Sequence, residues 1–95
     1  KSLKGLVLLM DIRHPLKELD QMMIEWAVAR PLPVHILLTK ADKLSRGASN
    51  QVVLQVRSHY DIYPDLISVQ SFSSLKRQGV ESLILKLNQW LDVDG

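Results

Sequence analysis

The feature that most constrains the fold is the mostly apolar run at residues 34–38, which leads directly into the polar tetrad Thr39-Lys40-Ala41-Asp42. A short continuous apolar run predicts a strand that is buried on both faces, as in a parallel sheet. The tetrad then lies at the carboxyl end of that strand, where open α/β sheets bind their ligands. There, Asp42 can accept two parallel hydrogen bonds from a planar N–H/NH2 edge, and Lys40 can lay its alkyl stem over a ring. In isolation the same pattern is more often a solvated turn, so the rest of the chain must decide.

Two further segments have the pattern of strands. Residues 6–10, from Leu6 to Met10, form a second continuous apolar run and predict another central strand. Residues 67–71 alternate between apolar or small and polar side chains, which is typical of a strand at a sheet edge with one wetter face. The chain supplies no neighbour for the outer edge of residues 6–10, so we expect that edge to be open.

Three segments have the spacing of helices. The first runs from about residue 15 to residue 30, with Pro15 in its first turn. We expect its apolar face to lie in the core; this face is formed by Leu16, Leu19, Met22, Met23 and Trp26. Residues 43–50 are polar and predict a loop or a frayed helix start, before a second helix that ends near Tyr60. Residues 80–91 keep helical apolar spacing throughout and predict the last helix, followed by a frayed end at residues 92–95.

The order of these elements, β-α-β-α-β-α, indicates the fold class. Short crossovers of this kind make parallel strands with right-handed connections and helices on both faces of the sheet. We therefore predict a three-layer α/β/α fold with a parallel sheet.

A second polar loop, Phe72-Ser73-Ser74-Leu75, follows the predicted edge strand. In a parallel sheet it opens at the same edge as Asp42. Its small residues let the backbone approach a planar ligand, its Ser74 N–H can donate to a carbonyl such as guanine O6, and the Ser73 hydroxyl can hold the Asp42 carboxylate. The alternative is that both serines cap the final helix. Two such loops on adjacent strands favour a pocket for a nucleobase.

Composition narrows the class of protein. Ninety-five residues, 46% hydrophobic and 23% charged, suit one small globular domain or part of a larger one. The absence of cysteine excludes disulfides and thiolate metal sites, and the three histidines lack metal-ligand spacing. A net charge of +2 permits an anionic partner without indicating one. No apolar run reaches membrane-spanning length and no signal peptide is visible, so we expect no membrane partner and a cytoplasmic protein.

The loops also resemble motifs of small GTPase domains. Thr39-Lys40-Ala41-Asp42 is similar to the [NT]KxD motif that selects guanine, and Ser73-Ser74-Leu75 is similar to the SAK-type motif that closes over the base. More narrowly, residues 11–15, 37–44 and 72–80 together resemble the bacterial EngB-type GTPases. The resemblance covers essentially all 95 residues. It implies that GTP or GDP is bound by Thr39, Lys40, Ala41, Asp42, Phe72, Ser73, Ser74 and Leu75.

For an intact protein of this kind, the resemblance implies slow GTP hydrolysis with Mg2+, assembly of the large ribosomal subunit, and a role in cell division and septation. Nothing in residues 1–95 matches the phosphate-binding GxxxxGK[ST] loop, the switch threonine or the DxxG motif. We therefore expect residues 1–95 to be the C-terminal half of a GTPase domain. This half has no catalytic residue and no Mg2+ ligand of its own. Thr39 replaces the commoner Asn and Leu75 the commoner Lys.

Two other interpretations remain open. Asp11, Thr39 and Lys76 at strand ends loosely resemble a phosphoacceptor receiver domain, although residues 1–10 lack the acidic pair that such a domain needs. A non-catalytic module that binds RNA or protein would use the basic side chains Lys43, Arg46, Arg57, Lys76 and Arg77. The open edge at residues 6–10 also predicts self-association of this chain, by strand pairing or exchange.

Overall fold

The computed structural model describes residues 4–91. Its elements follow in the order β1 (Leu6–Asp11), α1 (Glu18–Ala29), β2 (Val34–Thr39), α2 (Arg46–His59), β3 (Ile67–Ser71) and α3 (Val80–Leu91). A single 3-10 turn, Ala41–Lys43, follows β2. This order confirms the predicted β-α-β-α-β-α arrangement and the α/β class.

The sheet is parallel and has the strand order β1-β2-β3. Its central strand is β2, whose first five residues are all buried, as the apolar run at residues 34–38 predicts. In the described part of the chain β1 pairs only with β2, so it lies at an edge of the sheet rather than in the centre. The Leu9 side chain on this strand is 60% exposed. The prediction of an open edge at residues 6–10 therefore agrees with the structure of this chain.

The main core lies between one face of the sheet and the helices α1 and α2. Alternate residues of β2 are buried there with residues from β1, β3 and both helices, among them Val34, Ile36, Leu38, Ile24, Ala27 and Val56. Helix α3 lies on the other face, where Trp90 covers Gly5 so closely that a Cβ on Gly5 would come within 2.6 Å of the indole ring. Helices therefore flank both faces of the sheet, as predicted.

The start of α1 differs from its prediction. The helix begins at Glu18 rather than near Pro15, because Leu16 has a left-handed backbone with φ of 61° and cannot be part of a right-handed helix. The side chain of Asp20 then accepts a hydrogen bond from the Lys17 N–H at 3.2 Å, which satisfies one donor at the helix start.

The expectation that the apolar face of α1 lies in the core was also wrong in large part. Only Ile24 and Ala27 of this helix are buried. Leu19 and Met22 are 66% and 58% exposed, and Met23 and Trp26 are exposed as well. Because β1 is the edge strand, the sheet offers no further surface for these side chains to cover. Together with Leu6 they line an apolar groove beside the open edge.

The later elements agree more closely with their predictions. Helix α2 begins at Arg46, inside the segment predicted as a loop or frayed helix start, and the Ser45 hydroxyl caps it by accepting from the Ala48 N–H at 3.1 Å. Gly47 lies in the first turn and does not prevent the helix. Helix α3 has its predicted bounds, although none of its described side chains is buried. The frayed end predicted at residues 92–95 lies outside the described residues.

Candidate functional site: two loops at the carboxyl edge of the sheet

The tetrad lies where the sequence places it, at the carboxyl end of β2. Thr39 is the last residue of the strand, and Lys40 has a left-handed backbone with φ of 60° that turns the chain into the 3-10 turn Ala41–Lys43. The Thr39 hydroxyl donates to the Met10 carbonyl of β1 at 3.3 Å, and the Ile12 N–H donates to the Thr39 carbonyl at 3.0 Å. The end of β1 therefore holds the start of this loop.

Ala41 anchors the tetrad to the rest of the fold. Its side chain is buried, and its N–H donates to the Phe72 carbonyl at 3.0 Å. Its own carbonyl accepts the hydroxyl of Ser49, which is buried on α2, at 3.3 Å. A small side chain is needed here because the loop after β3 and helix α2 both approach the same backbone. Ala41 thus fixes the turn from which Asp42 projects.

The second loop is joined to the first through Ser73. The Ser73 hydroxyl, which is fully buried, donates to Asp42 Oδ1 at 2.6 Å and accepts the Lys76 N–H at 3.1 Å. The backbones of Ser73 and Gln78 form an antiparallel bridge of two hydrogen bonds, each 2.9 Å long, which closes the loop at its base. Helix α3 begins only at Val80, so the two serines do not cap it.

The environment of Asp42 keeps it ionised. The hydrogen bond from the Ser73 hydroxyl is the main cause that lowers the pKa of this carboxyl below its ordinary value, and the nearby Lys43 and Lys76 lower it further. Partial burial acts in the opposite direction and does not outweigh these effects. An ionised carboxylate has about four acceptor positions, so Asp42 can bind Ser73 and still accept hydrogen bonds from a ligand.

Six of the eight predicted site residues line one open cleft of about 450 Å³ at this edge. They are Thr39, Lys40, Asp42, Phe72, Ser74 and Leu75, and Leu9 and Lys43 complete the lining. The other two, Ala41 and Ser73, lie buried behind it. The exposed apolar side chain of Leu75 and the alkyl stem of Lys40 suit the faces of a flat ring, whereas Asp42 suits its hydrogen-bonding edge.

A charged cluster at the end of β1 also lies beside this site, although it was not predicted from the sequence as part of it. Arg13 donates two side-chain hydrogen bonds to Asp11, at 3.1 and 2.9 Å, and one from its backbone at 2.9 Å. These bonds hold the pKa of Asp11 far below its ordinary range. Lys40 Nζ lies 3.8 Å from Asp11 Oδ2. The signal in the sequence was the position of Asp11 and Arg13 directly after the apolar run at residues 6–10, which in a parallel sheet ends at the same edge as the tetrad; the register pairs Asp11 with Thr39.

Within 4–91, no group of three or more His, Asp or Glu side chains could hold a metal ion. None of the helices described there is long and apolar enough to cross a membrane. His35 is buried in β2.

Comparison with known proteins gives similar proteins but no matching family model. The chain is 54% identical over 90 residues to the "Probable GTP-binding protein EngB" of Vibrio parahaemolyticus, a match that covers 95% of this chain and 41% of the relative. It is 56% identical over 96 residues to the protein of the same name from Acinetobacter baylyi, covering 97% of this chain and 40% of the relative. The Sodalis glossinidius protein of that name is 54% identical over 89 residues, with 94% and 42% covered. The chain thus spans about two-fifths of the length of these curated relatives.

Proposed function

Because this chain belongs to the EngB family, we propose that residues 1–95 form the C-terminal half of a GTPase domain and supply its guanine-selecting loops. The observation that carries the proposal is the hydrogen bond of 2.6 Å from the Ser73 hydroxyl to Asp42, which joins both predicted base-binding loops at one cleft. The names of the relatives support GTP binding. The phosphate-binding and catalytic motifs are absent from residues 1–95. This chain alone should therefore bind guanine nucleotides with a dissociation constant of roughly millimolar or weaker and hydrolyse none.

Guanine fits the chemistry of the cleft. Its N1–H and N2 amino group form a planar donor edge that an ionised Asp42 can accept, and its O6 can accept a backbone N–H at Ser74. Lys40 and Leu75 would cover the two faces of the ring. Adenine presents an amino group at position 6 and no proton on N1, so it would leave the carboxylate facing an acceptor.

The test of this function is base selection in the full-length protein that contains this segment. Asp42→Asn replaces one acceptor oxygen by an amide that donates to the 2-keto group of xanthine. The preference for GDP over XDP in competition binding should fall by about tenfold or more. The matched control is Asp61→Asn, in the exposed connection before β3, which should leave the preference unchanged. An Asp42→Asn protein that prefers GDP as strongly as the wild type would show that Asp42 does not bind the base.

The role of the full-length protein extends this proposal through the family resemblance. We propose that it is cytoplasmic, acts in assembly of the large ribosomal subunit, and is needed for normal division and septation. The predicted basic side chains Lys43, Arg46, Arg57, Lys76 and Arg77 are all exposed and suit contacts with RNA phosphates. Filter binding to large-subunit RNA across a salt series tests this. Lys76→Gln should reduce the salt dependence, whereas unchanged binding would contradict the RNA contact.

We also propose that the 95-residue chain self-associates through the open edge of β1. Its backbone groups are unpaired on the outer side in the described structure, and exposed apolar side chains of β1 and α1 lie beside that edge. An open, flat, apolar strand edge favours pairing with a second chain. Placing a charge on this strand by Leu9→Lys should therefore reduce self-association.

A further inference from the structure

A partly buried polar network joins β2 and β3 on the face of the sheet that carries His35. His35 is only 4% exposed in the central strand, yet both of its ring nitrogens have partners. Nδ1 lies 2.7 Å from the Ser68 hydroxyl, and Nε2 lies 2.6 Å from Oε1 of Gln70. The parallel register sets His35 opposite Ser68, with Gln70 two residues further along β3.

The direction of each hydrogen bond follows from Gln70. Its amide nitrogen donates to two carbonyl oxygens, of Gly79 at 2.7 Å and of Ser71 at 3.1 Å. The amide oxygen therefore faces His35 and must accept, so Nε2 of His35 carries the proton. Burial lowers the pKa of His35 and keeps the ring neutral, in which state Nδ1 accepts the Ser68 hydroxyl. With the ring neutral, this arrangement satisfies both ring nitrogens of His35 and both polar atoms of the Gln70 amide.

At its far end the network contacts the loop after β3, residues 72–79, which is called the base-binding loop below. Gly79 follows directly after Gln78, which closes that loop by its two backbone hydrogen bonds to Ser73. Gly79 has φ of 82°, a backbone conformation that residues other than glycine rarely adopt. The Gln70 amide thus holds the C-terminal side of the loop, while Ser73 on its N-terminal side holds Asp42.

We infer that His35 and Gln70 are positioning residues for the base-binding loop. His35 fixes the orientation of the Gln70 amide, and Gln70 in turn fixes Gly79 and the closed loop that presents Ser73 to Asp42. Neither side chain lines the cleft. The effect on the order of the loop follows from the structure of this chain, whereas its consequence for nucleotide affinity rests on the proposed function.

The first test measures amide hydrogen exchange in the 95-residue chain. Gln70→Met keeps the length of the side chain but removes its donor and acceptor. The Ser73 and Gln78 amides, which form the closing bridge, should exchange at least about tenfold faster in this variant, beyond any change at the β2 amides. Gln55→Met, at an exposed position of α2, is the matched control and should change neither. The inference would be overturned if the amides of β2 and of the loop exchanged faster by the same factor, or if exchange of the loop amides did not change.

A conservative pair separates positioning from simple packing. His35→Leu removes the donor to Gln70, whereas His35→Gln retains an N–H donor of similar reach. The loop amides should exchange faster in His35→Leu and be partly restored in His35→Gln. If the loop amides exchange equally fast in both variants, His35 does not act through its hydrogen bond to Gln70, and the inferred positioning role of His35 is wrong.

The second measurement serves if a variant of the short chain fails to fold. In the full-length protein, Gln70→Met should speed GDP dissociation about fivefold or more, and combining it with Ser73→Ala should add little, since both act on one loop. Fully additive effects of the two substitutions on GDP dissociation would contradict the inference that Gln70 acts through the loop that holds Ser73. A wild-type protein that binds no guanine nucleotide would instead refute the proposed function and leave the exchange result valid.

Discussion

Ser73 and Asp42 are 31 residues apart in the sequence, yet the Ser73 hydroxyl donates to Asp42 Oδ1 at 2.6 Å. The Ser73 hydroxyl oxygen also accepts the Lys76 N–H, so one buried hydroxyl orients the carboxylate and closes its own loop. Because Ser73 is completely buried, water cannot replace it in either contact. This relationship joins the two loops into one structural unit.

Ser73→Ala should weaken guanine binding by about five- to tenfold in the full-length protein, because Asp42 loses the bond that orients it. The pKa of Asp42 should also rise toward its ordinary value, since the hydroxyl is the main cause that lowers it. Only the ionised carboxylate accepts both hydrogen bonds from guanine. When the pH is lowered, the affinity for GDP should therefore begin to fall at a higher pH in Ser73→Ala than in the wild type. Calorimetric titration with GDP at several pH values measures both effects. Ser58→Ala, exposed on α2, is the control, and equal affinities would contradict the role of Ser73.

Replacing Gly79 and Gly47 by alanine should change the free energy of unfolding in opposite directions. At Gly79, φ is 82° and a Cβ would overlap the Ser71 carbonyl oxygen, so Gly79→Ala should lower the free energy of unfolding by about 1–3 kcal/mol. At Gly47, in the first turn of α2, a Cβ meets nothing within 4 Å, so Gly47→Ala should raise the free energy of unfolding by about 0.5 kcal/mol. Urea denaturation of both variants measures the two changes, and a stable Gly79→Ala protein would show that this backbone can relax.

Leu9→Lys should reduce self-association of the 95-residue chain. Leu9 is the exposed side chain on the open strand, whereas the neighbouring Leu8 is buried and a Lys there would disrupt the core instead. A charged side chain on an edge strand opposes pairing with another chain. Sedimentation velocity at high micromolar concentration compares the wild type with Leu9→Lys and with Leu54→Lys, a control at a similarly exposed leucine of α2. A monomeric wild type that unfolds cooperatively would refute the proposed interface.

The buried histidine predicts how stability depends on pH. Burial lowers the pKa of His35 in the folded state, with a smaller contribution from the positive charge of Lys86 on α3. The unfolded chain, with an ordinary histidine pKa of about 6.5, then binds the proton more readily. The free energy of unfolding should therefore decrease as the pH falls below about 6.5, down to the lower folded pKa. Denaturant titrations between pH 5 and pH 8 should show this decrease in the wild type and a smaller one in His35→Gln. Equal slopes would contradict it.

The sequence by itself determined the order of the elements and the edge at which the site lies. The continuous apolar run at residues 34–38 and the alternation at residues 67–71 report burial on two faces or on one, which are local consequences of strand geometry. In a parallel sheet, the loops after two neighbouring strands necessarily open on the same side. Thr39 to Asp42 and Phe72 to Leu75 are therefore placed together by the sequence alone, and they line one cleft in the structure.

The sequence already predicts the bond from Ser73 to Asp42, and the structure confirms it. Tertiary structure alone decided which other side chains meet and which remain uncovered. The bond from His35 to Gln70 joins residues 35 positions apart and depends on the register between strands, which periodicity does not fix. The apolar spacing of α1 likewise predicts a buried face, but burial needs a surface to cover, and β1 at the edge of this sheet leaves Leu19 and Met22 exposed. Local pattern gives the elements because it reflects backbone geometry, whereas contacts between distant residues exist only once the elements pack.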